Sequence, residues 1–313
     1  MRIQNALTID VEDYFQVSAF EKCVPVADWD RYPLRVEKNT RLILEMLGEH
    51  GVHATFFVLG WVAAKCPALV QEIHAGGHEI ACHGYGHRRV GTQSRQEFRR
   101  DIRISKALLE DLIGEPVLGY RAPSYSISQQ TLWAFDELVE AGYRYDSSVF
   151  PVRHDFYGIP DWPRFPFTVS RGSDGIWEPQ RVAGGKDGAE MLEFPITTLN
   201  LWGRHIPIAG GGYFRIFPYC FTHWGLRRIN RLENLPFVFY LHPWELDPGQ
   251  PMMAGITLKS RFRHYLNIKR TEQRFARLLS DFSFTAMRDL VTGFPSGCEE
   301  TCAKEALPVT AGI

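Results

Sequence analysis

No stretch of this 313-residue chain has the ~18–20 consecutive apolar residues that a membrane-crossing helix needs. Its longest apolar runs, such as Ala54–Leu59, have the length of a strand. The opening MRIQNALTID runs straight into acidic residues and lacks the apolar core of a secretory signal, so a cytoplasmic location is expected. Excess charge is also missing: 35 Lys+Arg against 36 Asp+Glu leave a net charge of −1. Without a global basic field, no nucleic-acid partner is expected. Cysteine is scarce. Six in 313 residues are too few for a disulfide scaffold, and the close pair Cys298 and Cys302 has no second metal half-site. With 45% hydrophobic and 23% charged residues, the composition excludes a largely disordered chain. The length fits one large barrel-type domain or two ordinary ones.

What is present is an alternation of short apolar runs with longer helical patterns. Asn5–Ile9 reads as a strand ending in the acidic group DVED. Val36–His50 reads as a helix stopped by Gly51, and Ala54–Leu59 as a second strand. Cys66–Ala75 reads as a helix with Pro67 near its start, and His78–Ala81 as a third strand. Gln96–Ile113 is an amphipathic helix closed by Gly114, followed by a strand at Val117–Tyr120. Thr131–Ala141 is expected to be helical and Arg144–Asp146 extended. Such units at roughly 30-residue spacing imply a parallel β/α architecture. From about Pro151 to Gly212, Pro, Gly, Trp and Asp are frequent. That stretch reads as an insertion of loops and short strands, Thr168–Ser170 and Met191–Phe194 among them, over one end of the barrel. Phe221–Asn230 reads as a helix, Phe237–Leu241 as the last clear strand, and Thr271–Leu279 as a charged amphipathic helix.

Four polar clusters stand at strand C-termini, where the catalytic groups of β/α barrels collect. The first is Asp10-Val11-Glu12-Asp13, in which the two-residue period puts Asp10 and Glu12 on one face. Three carboxylates this close repel one another when buried without a cation. The second, His83-Gly84-Tyr85-Gly86-His87, spaces two imidazoles to meet one ion. The third is Arg121-Ala122-Pro123-Ser124-Tyr125, a Pro-stiffened turn able to fix a guanidinium and expose backbone donors. The fourth is His242-Pro243-Trp244-Glu245 after FVFYL. Together, one carboxylate and two histidines make a three-ligand site with open positions, the pattern of a hydrolytic Zn²⁺ or a similar divalent ion. A further carboxylate serves as base and a distant His as acid.

In this order the clusters resemble the polysaccharide deacetylases with a NodB-homology domain, carbohydrate esterase family four. The family's five motifs correspond to TIDVED, HGYGH, RAPSY, YRYDSS and LHPWE. DVEDYF, GYRAPSYSIS, HDFYGIP and FYLHPWELD further resemble a subgroup found with exosortase exopolysaccharide loci. The resemblance implies a distorted (β/α)7 barrel over 1–247, with the insertion at about 151–212. A helical extension over 248–292 would pack on the barrel, followed by a flexible tail at 293–313. It implies Asp10 as general base, His83 and His87 as metal ligands, and a third ligand from Glu12 or Asp13. Arg121 would orient and ionise the base, Asp146 would support the charge network, and His242 would protonate the departing amine. The backbone N–H near Ser124 or Tyr125 would bind the oxyanion, and His154 and Trp244 are read as further substrate contacts. The family's acidic motif is an adjacent Asp-Asp, whereas here it is spread as D-V-E-D. Ser124 also intervenes between Pro123 and the aromatic residue.

The implied activity is metal-dependent removal of N-acetyl groups from an acetylated oligo- or polysaccharide or its lipid-linked precursor. Zn²⁺ is the expected ion, with Co²⁺ or Ni²⁺ as substitutes. Association with membrane-bound polysaccharide synthesis machinery at the inner membrane face is left open. Two other readings are an allantoinase-like hydrolase of non-sugar amides or cyclic imides, and a non-catalytic sugar-binding relative. Tyr157, Trp162, Phe165, Phe167, Trp177, Trp202, Tyr213 and Phe214 are candidates for sugar stacking, and Gly210-Gly211-Gly212 for close backbone approach to a sugar. Cys82 is assigned to the core, and His50, His53, His74, His205, His223 and His264 to surface or packing roles.

Overall fold

The computed structural model describes residues 3–153, 158–180 and 189–293. Its strands are β1 (Gln4–Val11), β2 (Thr55–Val58), β3 (Glu79–Cys82), β4 (Gly119–Tyr120), β5 (Tyr145–Asp146), β6 (Phe167–Arg171), β7 (Trp177–Pro179), β8 (Glu190–Glu193), β9 (Thr198–Leu201), β10 (Arg204–Pro207), β11 (Val238–Leu241) and β12 (Ser283–Thr285). The helices are α1 (Val36–His50), α2 (Gly60–Lys65), α3 (Pro67–Ala75), α4 (Arg95–Ile113), α5 (Ala134–Glu140), α6 (Gly211–Ile216), α7 (Tyr219–Arg228), α8 (Leu258–Tyr265), α9 (Thr271–Asp281) and α10 (Met287–Gly293).

Seven strands run parallel in the order β11-β1-β2-β3-β4-β5-β8, and β6 and β7 add to β8 antiparallel. β2 and β3 are buried along their whole length, as expected of parallel strands covered on both faces. The segment after β8 returns to β11: Thr197 Oγ1 accepts the Val238 N–H at 2.8 Å, and Gly210 forms a bridge with Tyr240. A mixed α/β fold built on parallel strands is therefore present, as expected. Among the described residues no helix is long and apolar enough to cross a membrane.

The helices begin and end where local chemistry directs. α4 starts on a reciprocal cap between Ser94 and Glu97 and stops at Gly114, whose φ of 72° is left-handed. α1 stops at Gly51 in the same conformation. The N-terminus of α1 has no local side-chain cap; Asp13 supplies one from a distance, as described below.

Two expectations are corrected. The stretch 151–212 is not only an overlay, because β8 lies inside it and continues the parallel sheet beside β5. The region after 247 is not only helical either, since β12 pairs with Gln4–Ala6 of β1. β8 was expected as a short strand at Met191–Phe194, but pairing is not readable from one strand alone, and β12, at three residues, is too short for periodicity to announce it.

Candidate active site

Parallel strands bring their C-terminal ends to one face, and there the four clusters meet. Asp10 and Glu12 come from the end of β1, His83 follows β3, Arg121 follows β4, and His242 follows β11. All but Arg121 line a cavity of about 210 Å³, together with His87, Ser124, Tyr125, Trp244 and the segment Val17–Ala19. Phe150 and Tyr240 complete the wall.

Glu12, His83 and His87 present ligand atoms that all lie within 4.8 Å of one another. Burial pushes the His83 imidazole down to about 4, against the opposing pull of Asp10, so the ring is neutral near pH 7. Its Nδ1 lies 2.8 Å from the Arg121 carbonyl oxygen, which fixes the proton on Nδ1 and leaves the Nε2 lone pair for a ligand. His87 closes the group from a left-handed backbone at φ 51° and sets its Nε2 2.8 Å from Glu12 Oε2. That oxygen is buried with no other hydrogen-bond partner. Burial raises the Glu12 carboxyl, but His87 and His242 outweigh it and hold Glu12 well below the usual carboxylate range.

Asp10 sits beside this group. Arg121, fully buried, donates from Nη1 to Asp10 Oδ1 at 2.6 Å and to Thr8 Oγ1 at 2.8 Å. Its other nitrogens donate to Ser147, and its guanidinium lies 4.1 Å over the Phe57 ring. Burial disfavours a charged Asp10, yet Arg121, His83 and His242 prevail and lower its pKa. Asp10 Oδ2 meets the Tyr125 hydroxyl at 3.3 Å and stands 3.8 Å from His242 Nε2.

His242 is held from behind. Its Nδ1 is 2.5 Å from Glu245 Oε1, and Glu245 Oε2 accepts from Arg215 Nε at 2.8 Å. Burial acts to discharge His242, but Glu12, Glu245 and Asp10 overcome it and push its pKa up to about 9. Trp244 stacks on the His242 ring at 5.2 Å and donates its indole N–H to Glu12 Oε1 at 3.1 Å. Glu245 and Arg215 were not singled out by their sequence neighbourhoods as acting on His242. The spacing of His242 and Glu245, three residues apart, is the one local signal; Arg215 arrives from α6.

Several candidates are placed elsewhere. Asp13 lies outside the ligand group, because Oδ2 accepts the N–H groups of Arg35 and Val36 at 2.7 and 2.9 Å and Oδ1 that of Tyr14 at 2.8 Å. Asp146 does not line the cavity; it accepts from Ser148 Oγ at 2.6 Å, and that hydroxyl in turn accepts the Ala122 N–H at 2.7 Å. It thus braces the turn carrying Arg121. The Tyr125 N–H is spent on the Ala122 carbonyl at 2.9 Å, so it is not an oxyanion donor; the Tyr125 hydroxyl, aimed by left-handed Ser124 and Tyr125, is what faces Asp10. Ser124 keeps its place on the wall, with Oγ 2.5 Å from Ser18 Oγ. His154 and Tyr157 lie outside the described residues.

None of the proposed stacking aromatics among the described residues lines the cavity. Trp162 and Trp177 pack on Phe135, and Trp202 projects into solvent at a hairpin tip. The cavity's rings are Tyr125, Phe150, Tyr240 and Trp244. The triple glycine serves the fold: a Cβ on Gly210 would stand 2.0 Å from the Tyr240 carbonyl oxygen, so the close approach is to β11. His264 packs, stacking on Trp244 at 4.2 Å. Cys82 is buried as expected, its thiol pushed up to about 12 by burial.

Strand-end carboxylates, two histidines and an Arg-held aspartate make up, on an α/β scaffold, a group that could hold a metal ion. Residues 21–145 match the polysaccharide deacetylase family, and residues 147–292 match a domain of unknown function, DUF3473. The chain therefore carries a polysaccharide deacetylase domain with a DUF3473 region on its C-terminal side. A peptidoglycan-N-acetylglucosamine deacetylase of Bacillus cereus is 35% identical over 99 residues, covering 31% of this chain and 36% of that protein. A chitooligosaccharide deacetylase of Sinorhizobium fredii is 38% identical over 60 residues, covering 19% and 28%. The chain thus spans about a third of each of these relatives. A solved structure of a candidate polysaccharide deacetylase from Mycobacterium smegmatis superposes with a TM-score of 0.57 at 19% identity, covering 98% of this chain and 93% of that one, a likeness of fold.

Proposed function

We propose that this chain is a metal-dependent deacetylase that hydrolyses the N-acetyl amide of an N-acetylated sugar chain, or of its lipid-linked precursor, in exopolysaccharide synthesis. The observation that carries the reading is the convergence of Glu12, His83 and His87 within 4.8 Å beside Asp10 and His242. The donor set fits a divalent ion. One carboxylate and two imidazoles, one with its Nε2 freed by a fixed Nδ1–H, suit Zn²⁺ and also Co²⁺ or Ni²⁺. The buried Glu12 Oε2, with only His87 beside it, calls for a positive charge there.

Such an ion, when bound, supplies Lewis-acid polarisation of the acyl carbonyl and a lowered pKa for water. Asp10 acts through Oδ2, the oxygen not held by Arg121, and takes the proton of the attacking water. Arg121 keeps Asp10 ionised at neutral pH. His242, charged near pH 7, gives its Nε2 proton to the amide nitrogen as the C–N bond breaks. Acetate and a free amine leave. Tyr125, Phe150 and Tyr240 offer ring faces and Ser124 a hydroxyl to the sugar.

The test is acetate release from N-acetylglucosamine oligomers by protein loaded with Zn²⁺, with allantoin as the competing substrate. Release from the oligomers that is abolished by His83→Ala is expected. Turnover of allantoin alone, or full activity in His83→Ala, would overturn the reading.

A further inference from the structure

Helix α8 has two faces of different chemistry. Its inner face backs the cavity wall: His264 is buried, donates from Nε2 to Gln250 Oε1 at 2.7 Å, and stacks on Trp244. Arg215 Nη1 donates to the carbonyl oxygens of Arg263, His264 and Leu266 and so fixes the C-terminal turn. Three stacked rings, His242, Trp244 and His264, lead from the cavity to this helix.

The outer face is apolar and basic. Leu258 and Phe262, one turn apart, are 82% and 63% exposed. Met252, 54% exposed, is in the loop before the helix, which the Tyr265 hydroxyl ties to the helix through Pro251 O and the Met253 N–H, each at 2.9 Å. At 100° per residue, Lys259 and Arg263 flank this ridge on one side and Arg261 on the other, all exposed. Lys269 and Arg270 follow, and no Asp or Glu occurs from Pro248 to Thr271. In a chain of net charge −1, five cations without a carboxylate over 24 residues form a local field of one sign. Among the described residues none of the five forms an ion pair.

We propose that α8 docks this protein on an anionic lipid bilayer. Leu258, Phe262 and Met252 enter the boundary between headgroups and acyl chains, and Lys259, Arg261 and Arg263 meet the lipid phosphates. A large exposed apolar ridge with cations on both shoulders is the arrangement that lies in a membrane interface. A soluble polyanion would use the cations and leave the ridge without a role. The inference does not rest on the chemistry assigned to the cavity.

The experiment is co-sedimentation of the full chain with phosphatidylcholine vesicles, with and without about a third phosphatidylglycerol. Binding at least roughly tenfold stronger to the anionic vesicles is expected, and it should weaken with salt. The double variant Leu258→Ser/Phe262→Ser and the double variant Lys259→Glu/Arg263→Glu should each abolish it. Circular dichroism should show both folded, because all four side chains are exposed. No binding to anionic vesicles, or binding indifferent to Leu258→Ser/Phe262→Ser, overturns the proposal. So does light scattering that finds a dimer which the serine variant dissociates, since a second copy would then cover the ridge. Sedimentation is read without turnover, so a failed deacetylase assay leaves this result standing, and the reverse.

Discussion

Glu245 bridges His242 and Arg215: one carboxylate oxygen lies 2.5 Å from His242 Nδ1, and the other accepts from Arg215 Nε at 2.8 Å. The residue sits on the turn after β11 and orients the ring from the side away from the cavity. Opposite-charge contact keeps the imidazolium stable, with Glu12 and Asp10 adding to the effect.

An acid must be protonated to work, so activity is lost as pH rises through the His242 pKa. In the wild type that alkaline limb follows the His242 pKa, which Glu12, Glu245 and Asp10 raise and which an ion on Glu12 would lower. Glu245→Gln removes one of the charges that raise it. The limb should shift to lower pH, and kcat should drop by about 10- to 100-fold with KM little changed. A pH–rate profile of the two proteins checks this. An unmoved limb would show that Glu245 does not act through His242.

Glu12 and Asp13 are adjacent carboxylates with separate tasks. Glu12→Gln should lose the metal, read by dialysis and metal analysis. Asp13→Ala should keep it and instead lose roughly 1–3 kcal/mol of stability, because the N–H groups of Arg35 and Val36 lose their shared acceptor at the start of α1. Trp244→Phe, which removes the donor to Glu12 Oε1, should weaken metal affinity by about 10- to 100-fold. Retention of metal by Glu12→Gln together with its loss in Asp13→Ala would reverse the assignment.

Glu193 and Asp146 are paired across β5 and β8 and are both fully buried. Burial raises both carboxyls, and Asp146 beside it raises Glu193 further, so the proton the pair retains is placed on Glu193. A raised acid pKa means that the native state holds a proton the unfolded chain releases. Its stabilising contribution is therefore complete below the unfolded value and declines as pH rises. Glu193→Gln supplies that hydrogen without titration. Denaturant midpoints of the wild type should fall from pH 5 to 9 more steeply than those of Glu193→Gln.

His78 gives the opposite sign. Its Nδ1 accepts the Ala54 N–H at 3.2 Å, which only the neutral ring can do, and burial lowers its pKa to about 4. Between its unfolded value and 4 the unfolded chain binds the proton first, so stability falls as the solution is acidified through that window. For this group the loss should be roughly 3 kcal/mol. His78→Asn, whose side-chain oxygen keeps the acceptor, should flatten the slope in urea titrations over the same range.

The regular part of the fold was legible from periodicity alone. Val36–His50 is a helix with the bounds read from its pattern, and β1 to β5 stand within a few residues of their expected places. Those elements are long or punctuated by Gly and Pro, so local physics names them. β12 and α8 were missed, because three extended residues carry no periodic signal, and a helix with both Leu258 and Phe262 in solvent lacks the usual one-sided core pattern; β8 was read as a short strand at Met191–Phe194, but not its place beside β5.

The sequence by itself determined which side chains could do chemistry and that they stand at strand ends. Asp10, Glu12, His83, His87, Arg121 and His242 are all at such ends, and five of the six face the cavity. What only the tertiary structure decided is how the carboxylates divide their work. Asp10 turns to Arg121, Glu12 to the two histidines, Asp13 to the start of α1, Asp146 to Ser148, and Glu245 to His242. A carboxylate's role is set by the donors it meets and by how far water is excluded. Those donors come from as far as 232 residues away along the chain, as Trp244 does for Glu12, and only folding brings them within about 3 Å.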